Sequence, residues 1–492
     1  MKKILPLLLL ALFVSCVKPE QKMMTHLVNL ALLETEKNQE YSSIAEIKSV
    51  VAPITGTSRS NFIKTEIISN NANISNVSER QAKYLDMSQS AFAFYRATAH
   101  LYYKDISLNT IAIPSLWSST VDVSTWIQGD LHLQNYGFFD NDSGTVKFDI
   151  NDFDESYIAP FYWDLIRLSA SVFLIQDQVT KFTLSDAEAR TAIEDFLSEY
   201  QSSLNTVNGN STETTYEFSK GNLSGFTQNE LDKINNNTYA NLLSKWTIIS
   251  GSKRTFDFSN PNLTPLTSNE QTEINSNWNS YKSDLGTFAS SKSSGYFNIK
   301  SAARRLNSGL GSQGITKIYL LIEGSSTGTS DDIILEAKIQ KLPSLFQSGK
   351  LSSSLYNSRF PNHAQRAKTA MRALLVNADN FAGVLPGTGR TFLVRKISAF
   401  KSGLEPKDFQ SLSDLKNFLS YSAKSIAYAH SRSDKDYSNS FLSYNFENSA
   451  YNAIIAWPQF KTTVRDLAES YAKQVKTDLN YFLTLRSSGQ LP

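Results

Sequence analysis

One stretch constrains the fold and the chemistry of this chain most strongly: residues 129–156, GDLHLQNYGFFDNDSGTVKFDINDFDES. Asp130 and Asn135 stand five residues apart in it. The strand-like segment TVKFDI then leads into a polar turn, and this part carries the carboxylates Asp149, Asp152 and Asp154. Carboxylates this close repel each other and shift each other's pKa. A cation or a substrate hydroxyl is the usual reason to keep them together, and Mg²⁺ prefers carboxylate and amide oxygens.

The N-terminal segment, MKKILPLLLLALFVSC, has the layout of a bacterial secretory signal that ends in a lipobox. Its apolar run is too short to span a bilayer permanently. Cys16 is the single cysteine of the chain and stands where diacylglyceryl attachment would use it. We therefore expect export, and a lipid anchor on the periplasmic or cell-surface side of a membrane.

Composition excludes one class of partner. The chain has 48 basic and 46 acidic residues, and loss of Lys2 and Lys3 with the signal would leave it formally neutral. Nucleic acids require a basic binding face, so none is expected as a partner, and membrane attachment would come from the lipid.

Changes in periodicity and composition predict an ordered series of segments. These are a signal and lipobox (1–16), a tether and entry segment (17–78), a region around the acidic stretch (79–204), an Asn/Ser/Thr-rich insertion partly ordered around its aromatics (205–295), a β-rich region (296–400) and C-terminal helices (401–492). Helical periodicity is expected over 79–105, 161–176, 184–204, 362–376, 408–432, 447–457 and 460–485.

A second informative segment begins at Ser301. It places Gly309, Gly311 and Gly314 in GxGxxG spacing, before an apolar strand, a turn and a second strand that carries Lys338. A dinucleotide-binding unit would have a helix directly after the third glycine. Because a strand follows here, we predict a β-hairpin headed by a glycine-rich loop.

The two segments together contain the parts that a phosphotransferase needs. Asp130 and Asn135 resemble the D-x-x-x-x-N of the protein kinase-like and aminoglycoside/choline phosphotransferase superfamily, in which GDLHLQN is similar to the HGDxHxxN loop. DFDES at 152–156, with WDL at 163–165 downstream, is similar to the IDFE…D pattern of small-molecule kinases.

This resemblance implies an α+β, protein kinase-like fold, ATP or another nucleotide with Mg²⁺, and a small-molecule or protein acceptor. Asp130 would be the base, Asn135 and Asp152 the metal ligands, and Asp164 an acid that supports the loop, with Asp149 as a rival metal ligand. The three glycines and the strand lysine would bind the nucleotide.

Three further residues are candidates for supporting roles. Arg96 lies among helical aromatics, where it is either a charge at the edge of the core or a ligand for phosphate or carboxylate. His132 lies inside the loop motif and is expected to brace the loop by hydrogen bonding. Asp154 belongs to the acidic cluster. His363 and His430 are expected to be structural.

A closer resemblance rests on six motifs. AFAFYRATAH at 91–100, GDLHLQNYGFF, FDINDFDES, GLGSQG, NHAQR at 362–366 and AHSRS at 429–433 are together similar to the bacterial family called domain of unknown function 2252. The similarity runs from about residue 80 to the C-terminus, and it specifies no substrate.

The sequence departs from ordinary kinases in three respects. Gln128 replaces the first histidine of the loop motif. The loop motif precedes the glycine loop, so that a kinase-like fold would be circularly permuted. No acidic residue occurs between Lys338 and Asp379 to supply the usual helix glutamate.

Three hypotheses follow: a phosphotransferase, a kinase-like protein that binds without catalysis, and a hydrolase that uses the cluster of Asp149, Asp152 and Asp154 with a metal-bound water. Scarcity of ATP outside the cytoplasm favours the second.

Overall fold

Helices and several small sheets share the chain, which is a mixed α+β protein as the sequence predicted. The structure is a computed structural model that describes residues 51–114, 117, 123–306, 309, 313–453 and 457–492. Cys16 and Gly311, both singled out above, lie outside the described residues.

The elements are numbered in chain order within the described residues. The helices are α1 (Thr57–Asn70), α2 (Val77–Met87), α3 (Ala91–Ala97), α4 (Ala99–Ser107), α5 (Tyr162–Leu174), α6 (Asp186–Val207), α7 (Gly225–Ile234), α8 (Tyr239–Trp246), α9 (Ser268–Asp284), α10 (Thr287–Ser290), α11 (Ser353–Arg359), α12 (His363–Leu374), α13 (Leu412–Arg432), α14 (Lys435–Ser438), α15 (Phe446–Ala453) and α16 (Trp457–Ser487). The strands are β1 (Ser124–Ile127), β2 (Tyr136–Asp140), β3 (Val146–Ile150), β4 (Tyr157–Pro160), β5 (Phe218–Ser219), β6 (Thr247–Ser250), β7 (Lys253–Phe256), β8 (Leu263–Pro265), β9 (Ile299–Arg305), β10 (Lys317–Ile322), β11 (Ile333–Ile339), β12 (Gly383–Gly387), β13 (Arg390–Lys396) and β14 (Ser402–Gly403).

Side-chain caps decide where several helices begin. Ser185 and Glu188 form a reciprocal capping box at the start of α6. Ser90 accepts a hydrogen bond from the backbone N–H of Ala93 and begins α3. The helical pattern over 79–105 is therefore divided into three helices, α2, α3 and α4.

Two antiparallel sheets frame the site. The larger has the strand order β12-β13-β11-β10-β9-β8, and its β10 and β11 form the predicted hairpin, with Lys317 opposite Lys338. The smaller has the order β14-β2-β3-β5, and β1 pairs separately with β4. The acidic stretch therefore spans the β2–β3 hairpin and the turns on both sides of it.

The segment 205–295 consists largely of helices and strands in the structure. Its strand β5 pairs with β3, its strand β8 pairs with β9, and α9 packs against β12. The apolar side chains of Trp246 and Trp278 are buried in two separate clusters. The segment thus contributes strands to both sheets.

The main hydrophobic core surrounds α5, in which every residue is buried. A second cluster lies between α9 and the larger sheet. At the N-terminal side, Arg59 on α1 is buried and makes ion pairs with Asp105 on α4 and Asp478 on α16. None of the helices in the part of the chain that the structure describes combines the length and hydrophobicity needed to cross a bilayer.

Candidate functional site

The acidic loop, residues 128–135, connects β1 to β2. Hydrogen bonds to helix α5 hold its backbone in place. Asp164, in the first turn of α5, accepts hydrogen bonds from the backbone N–H groups of Gln128 at 2.7 Å and Gly129 at 2.9 Å. Gly129 has φ of +85°, and a Cβ there would lie 2.1 Å from the carbonyl oxygen of Glu155. Only glycine fits this position, and Asp164 fixes the loop backbone beside it.

Asp130, in the acidic loop, is held by a buried cation. Arg167 on α5 donates from Nε to Asp130 Oδ1 at 2.6 Å, while Oδ2 lies 3.9 Å from His132 Nε2. Burial raises the pKa of Asp130 to about 6, although the charge of Arg167 acts in the opposite direction. Burial lowers the pKa of His132, which is therefore neutral at pH 7. A carboxylate with this pKa is ionised at neutral pH and basic enough to accept a proton.

His132 contacts the acidic loop and a neighbouring helix. Its Nδ1 accepts a hydrogen bond from the backbone N–H of Gln134 at 3.2 Å, and its ring packs edge-on against Phe92. His363 and His430 are also held by structural contacts, with Tyr356 and Tyr200 respectively.

Gln128 joins the acidic loop to the aspartate turn, residues 151–156. Its side-chain nitrogen donates to the backbone oxygen of Asp152 at 2.5 Å, and its side-chain oxygen accepts from the backbone N–H of Asp130 at 2.7 Å. Asn135 Nδ2 donates to the backbone oxygen of Asp130 at 2.8 Å. These bonds fix Asp130, Asn135 and Asp152 relative to one another.

Lys338 on β11 reaches the aspartate turn from the larger sheet. Its Nζ lies 3.3 Å from Asp152 Oδ1 and makes a second ion pair with Asp154, which also accepts a hydrogen bond from Gln340. Burial opposes the charge of Lys338, but the two aspartates raise its pKa. Burial likewise opposes the charge of Asp152, but Lys338 and Arg395 hold the pKa of Asp152 below its usual value. Both groups are therefore charged at pH 7.

Helix α12, which follows β11 and α11 in the chain, contributes an arginine to this region. Arg366 is fully buried and donates to the backbone oxygens of Phe153 at 2.7 Å and Ser156 at 3.1 Å, and also to that of Lys341. Arg366 thus supports the backbone of the aspartate turn, whose carboxylates are the partners of Lys338.

A cavity of about 170 Å³ opens between the acidic loop, the aspartate turn and helices α2 to α4. Asp130, Asn135, Asp152 and Asp154 line it. Arg96 lines it as well, and its buried Nε has no hydrogen-bond partner among the described residues. The structure therefore brings these five predicted residues to one cavity.

The segment before β10 reaches the same cavity through Gln313 and Ile315. Gly314 between them has φ of +80°, and a Cβ there would lie 2.3 Å from Ile74. Gly309, by contrast, is exposed and has open space around its Cα. Within the described residues of the predicted glycine loop, the neighbours of Gly314 line the cavity and Gly309 does not.

Asp149 does not line the cavity. Its carboxylate accepts hydrogen bonds from Ser425 at 2.7 Å and from the backbone N–H of Ile150, and it lies 3.5 Å from Lys147. Within the described ranges, no group of three or more His, Cys, Asp or Glu side chains is arranged to bind a metal ion. Asp149 is engaged in the packing of β3 against α13.

A larger cavity of about 560 Å³ lies on the other side of the aspartate turn. Asn151 and Phe153, the neighbours of Asp152, line it together with aromatic side chains such as Phe138 and Tyr319. Its volume falls within the roughly 300–1,000 Å³ that is usual for small-molecule sites. The smaller cavity is suited only to a small ligand or to one group of a larger ligand.

Two site residues were not predicted to contact Asp130. Strands β2 to β4 separate Arg167 from Asp130, and the sequence marks Arg167 only as the single basic residue of a largely apolar helix. In the sequence Gln128 differs from the loop motif, and in the structure its side chain makes hydrogen bonds to both the acidic loop and the aspartate turn.

Comparisons with known proteins agree with the motif similarity described above. No curated protein and no solved structure matches the sequence. The model of a family described as an uncharacterized protein conserved in bacteria matches residues 78–485, which include the acidic loop, the aspartate turn and Lys338. The chain therefore belongs to the bacterial family called domain of unknown function 2252.

Proposed function

We propose that this protein is a phosphotransferase that uses ATP or another nucleotide with Mg²⁺ and transfers phosphate to a small-molecule or protein acceptor. One observation carries the proposal: Asp130, Asn135 and Asp152 converge on one cavity, with Lys338 3.3 Å from Asp152. A base, two oxygen ligands and a lysine for phosphate are the groups that phosphoryl transfer requires.

The order of elements supports a kinase-like arrangement with circularly permuted motifs. The acidic loop, the β2–β3 hairpin and the aspartate turn come first in the chain, followed by α5 with its supporting Asp164. The β9–β10 connection, Lys338 on β11 and helix α12 come later. We propose that 79–204 is the C-lobe-like part and 296–400 the N-lobe-like part.

The donor set suits Mg²⁺. Asn135 and Asp152 offer an amide and a carboxylate oxygen, and Mg²⁺ is commonly held by one or two carboxylates together with substrate phosphates. Bound Mg²⁺ would neutralise charge that develops on the phosphoryl group. Lys338 would attract the phosphates from the other side.

Asp130 would act as the base through Oδ2, since Arg167 occupies Oδ1. The hydroxyl proton of the acceptor would pass to Oδ2 while the oxygen of the acceptor forms a bond with phosphorus and the nucleoside diphosphate leaves. Of the two cavities, the larger has the volume that suits the nucleoside.

One observation favours a second candidate, binding without catalysis. In active kinases a glutamate of the following helix pairs with the strand lysine, whereas α12 offers Arg366, which donates to the backbone of the aspartate turn. Hydrolysis by an aspartate cluster is less well supported, because Asp149 is bonded to Ser425.

The proposal is tested by measuring Mg²⁺-dependent release of ADP from ATP, with nucleotide affinity measured by calorimetry. Asp130→Asn should abolish turnover and leave nucleotide affinity nearly unchanged, while Asp152→Asn should weaken Mg²⁺-nucleotide binding. Asp195→Asn, on the exposed face of α6, is the control and should behave like the parent. Binding without turnover in the parent would favour the second candidate. Equal behaviour of all variants would reject the assignment of the site.

We also propose that the protein is exported and anchored to a membrane through a lipid on Cys16. The support is the sequence of residues 1–16, with its short apolar run and its single cysteine.

A further inference from the structure

One wall of the smaller cavity carries cationic and imidazole groups. Lys83 on α2, Arg96 on α3 and His100 on α4 line the cavity, with Lys341 at its exposed rim. They come from the helices that precede the acidic loop and from the segment after β11. The same cavity is lined by the aspartates described above, so cationic and acidic side chains both face it.

The two cations of this wall, Lys83 and Arg96, have no carboxylate partner among the described residues. Lys83 is 6% exposed and His100 is 5% exposed. In the described part of the chain no carboxylate forms a salt bridge with Lys83 or Arg96, and the nearest acceptor for Lys83 is the backbone oxygen of Gln313 at 3.4 Å. Among the residues that the structure describes, Arg96 Nε and His100 Nε2 are buried without a hydrogen-bond partner, whereas the His100 ring makes a hydrogen bond with the backbone of Glu66.

Burial of charged groups without a carboxylate partner costs free energy unless a bound ligand supplies the partner. Buried charges are normally paired, and buried donors are normally hydrogen-bonded. Burial, with the like charge of Lys341, lowers the pKa of Lys83 to about 8, so a neighbouring anion would stabilise its charged form. Burial lowers the pKa of Arg96 too, and Asp130 is the first of the carboxylates that counteract this effect. The unpaired wall thus lies beside the group that would act as the base.

We infer that Lys83 and Arg96 form a subsite for a phosphate or carboxylate group of the acceptor, which is therefore an anionic small molecule. This inference rests on the proposed function, since it assigns the substrate class of the same site. Arg96 offers planar guanidinium donors for an oxyanion, and Lys83 adds a compact charge. The cavity of about 170 Å³ has room for such a group beside Asp130.

The nucleotide phosphates are the other source of an oxyanion, and the test separates the two sources. Inorganic phosphate and acetate are titrated by calorimetry into the full-length protein saturated with ATP and Mg²⁺. We expect one of the two ions to bind. In Lys83→Met its affinity should fall at least about tenfold, while the affinity for ATP with Mg²⁺ stays the same.

Two further variants complete the design. Lys83→Arg keeps the charge and should recover most of the affinity for the ion. Lys104→Met, on the same helix as His100 but paired with Glu66 and part-exposed, should bind the ion like the parent.

Three results would overturn the inference: no binding of either ion, displacement of the ion by ATP, or an equal loss of ATP affinity in Lys83→Met. The first would leave the proposed function intact if ATP and Mg²⁺ still bind. The other two would assign the wall to the nucleotide phosphates. Failure of ATP binding in the parent would reject the proposed function itself, and with it the assignment of an acceptor.

Discussion

Arg167 Nε donates to Asp130 Oδ1 at 2.6 Å, with the guanidinium fully buried and the carboxylate at the edge of the cavity. Because Arg167 contacts Oδ1, Oδ2 is the carboxylate oxygen that is left to accept a proton. The ion pair also fixes the orientation of the Asp130 side chain. Asp130 is thereby positioned by α5, the most deeply buried helix of the main core.

Removal of Arg167 should therefore be strongly destabilising. In Arg167→Met the Asp130 carboxylate loses its buried partner, and we expect the free energy of unfolding to fall by about 3–5 kcal/mol. The measurement is urea unfolding followed by circular dichroism. The double variant Arg167→Met/Asp130→Asn should recover part of the loss. Lys407→Met, which removes an exposed pair, should change stability by at most about 1 kcal/mol. A similar small effect for Arg167→Met would contradict the account.

The ion pairs of Arg59 should likewise contribute to the stability of the N-terminal side of the core. It donates to both carboxylate oxygens of Asp105 and of Asp478, and so connects α1 with α4 and α16. Lysine cannot reproduce this set of planar donors. Melting temperatures should fall in the order parent, Arg59→Lys, Arg59→Met. Lys64→Met, at an exposed position on α1, should melt like the parent, and equal melting of the two Arg59 variants would contradict the prediction.

A buried group of carboxyls should make stability depend on pH. Glu213, Asp434 and Glu447 are nearly inaccessible to solvent, and burial raises the pKa of Glu447 to about 8 and that of Glu213 to about 7. An acid whose pKa is raised by folding takes up a proton as the chain folds. Its contribution is complete below the unfolded pKa and is lost as the pH rises through the folded pKa.

We therefore expect the parent to lose stability relative to Glu447→Gln, whose amide does not titrate, as the pH rises from about 6 to about 9. Urea unfolding at the two pH values measures the change in the free energy of unfolding for the parent and for Glu447→Gln. Buried histidines act in the opposite direction near pH 6, because burial lowers the pKa of His100 to about 3 while an unfolded histidine titrates near 6.5. They are the same in the parent and in Glu447→Gln, so the difference between the two proteins isolates the carboxyl. An equal loss in the parent and in Glu447→Gln would show that this carboxyl is not the source.

If a lipid on Cys16 anchors the protein, removal of that thiol should move the protein from the membrane fraction to the soluble fraction. Cys16→Ser removes the thiol to which a lipid would be attached, so the variant should leave the membrane fraction after cell lysis. A single acyl chain binds membranes only marginally, whereas the several chains of a lipoprotein bind stably. Fractionation followed by immunoblotting measures the change. Recovery of the parent in the soluble fraction would contradict the proposal.

Local patterns predicted a large part of the fold. The hairpin that carries Lys338, the capped helix α6 and the C-terminal helices follow from periodicity and capping residues that lie close together in the sequence. The convergence of Asp130, Asn135 and Asp152 was also expected, because short turns keep them near one strand end.

Contacts between distant segments were not predictable in this way. The ion pair of Arg167 with Asp130 depends on how α5 packs behind the acidic loop. The wall that contains Lys83 depends on how α2 packs beside the segment before β10. In residues 205–295, the many polar residues obscure the spacing of the buried apolar residues, such as Trp246 and Trp278. These two side chains are buried by packing against the larger sheet, which lies elsewhere in the sequence.

The most direct test of the central claim is the melting temperature of the purified protein with and without millimolar ATP and Mg²⁺. A ligand at a hundred times its Kd stabilises the folded state by about 2.7 kcal/mol. The account predicts a rise of several degrees that requires both components and disappears in Asp152→Asn. No rise in the parent, or an equal rise in Asp152→Asn, would contradict a nucleotide site between Lys338 and the aspartate turn.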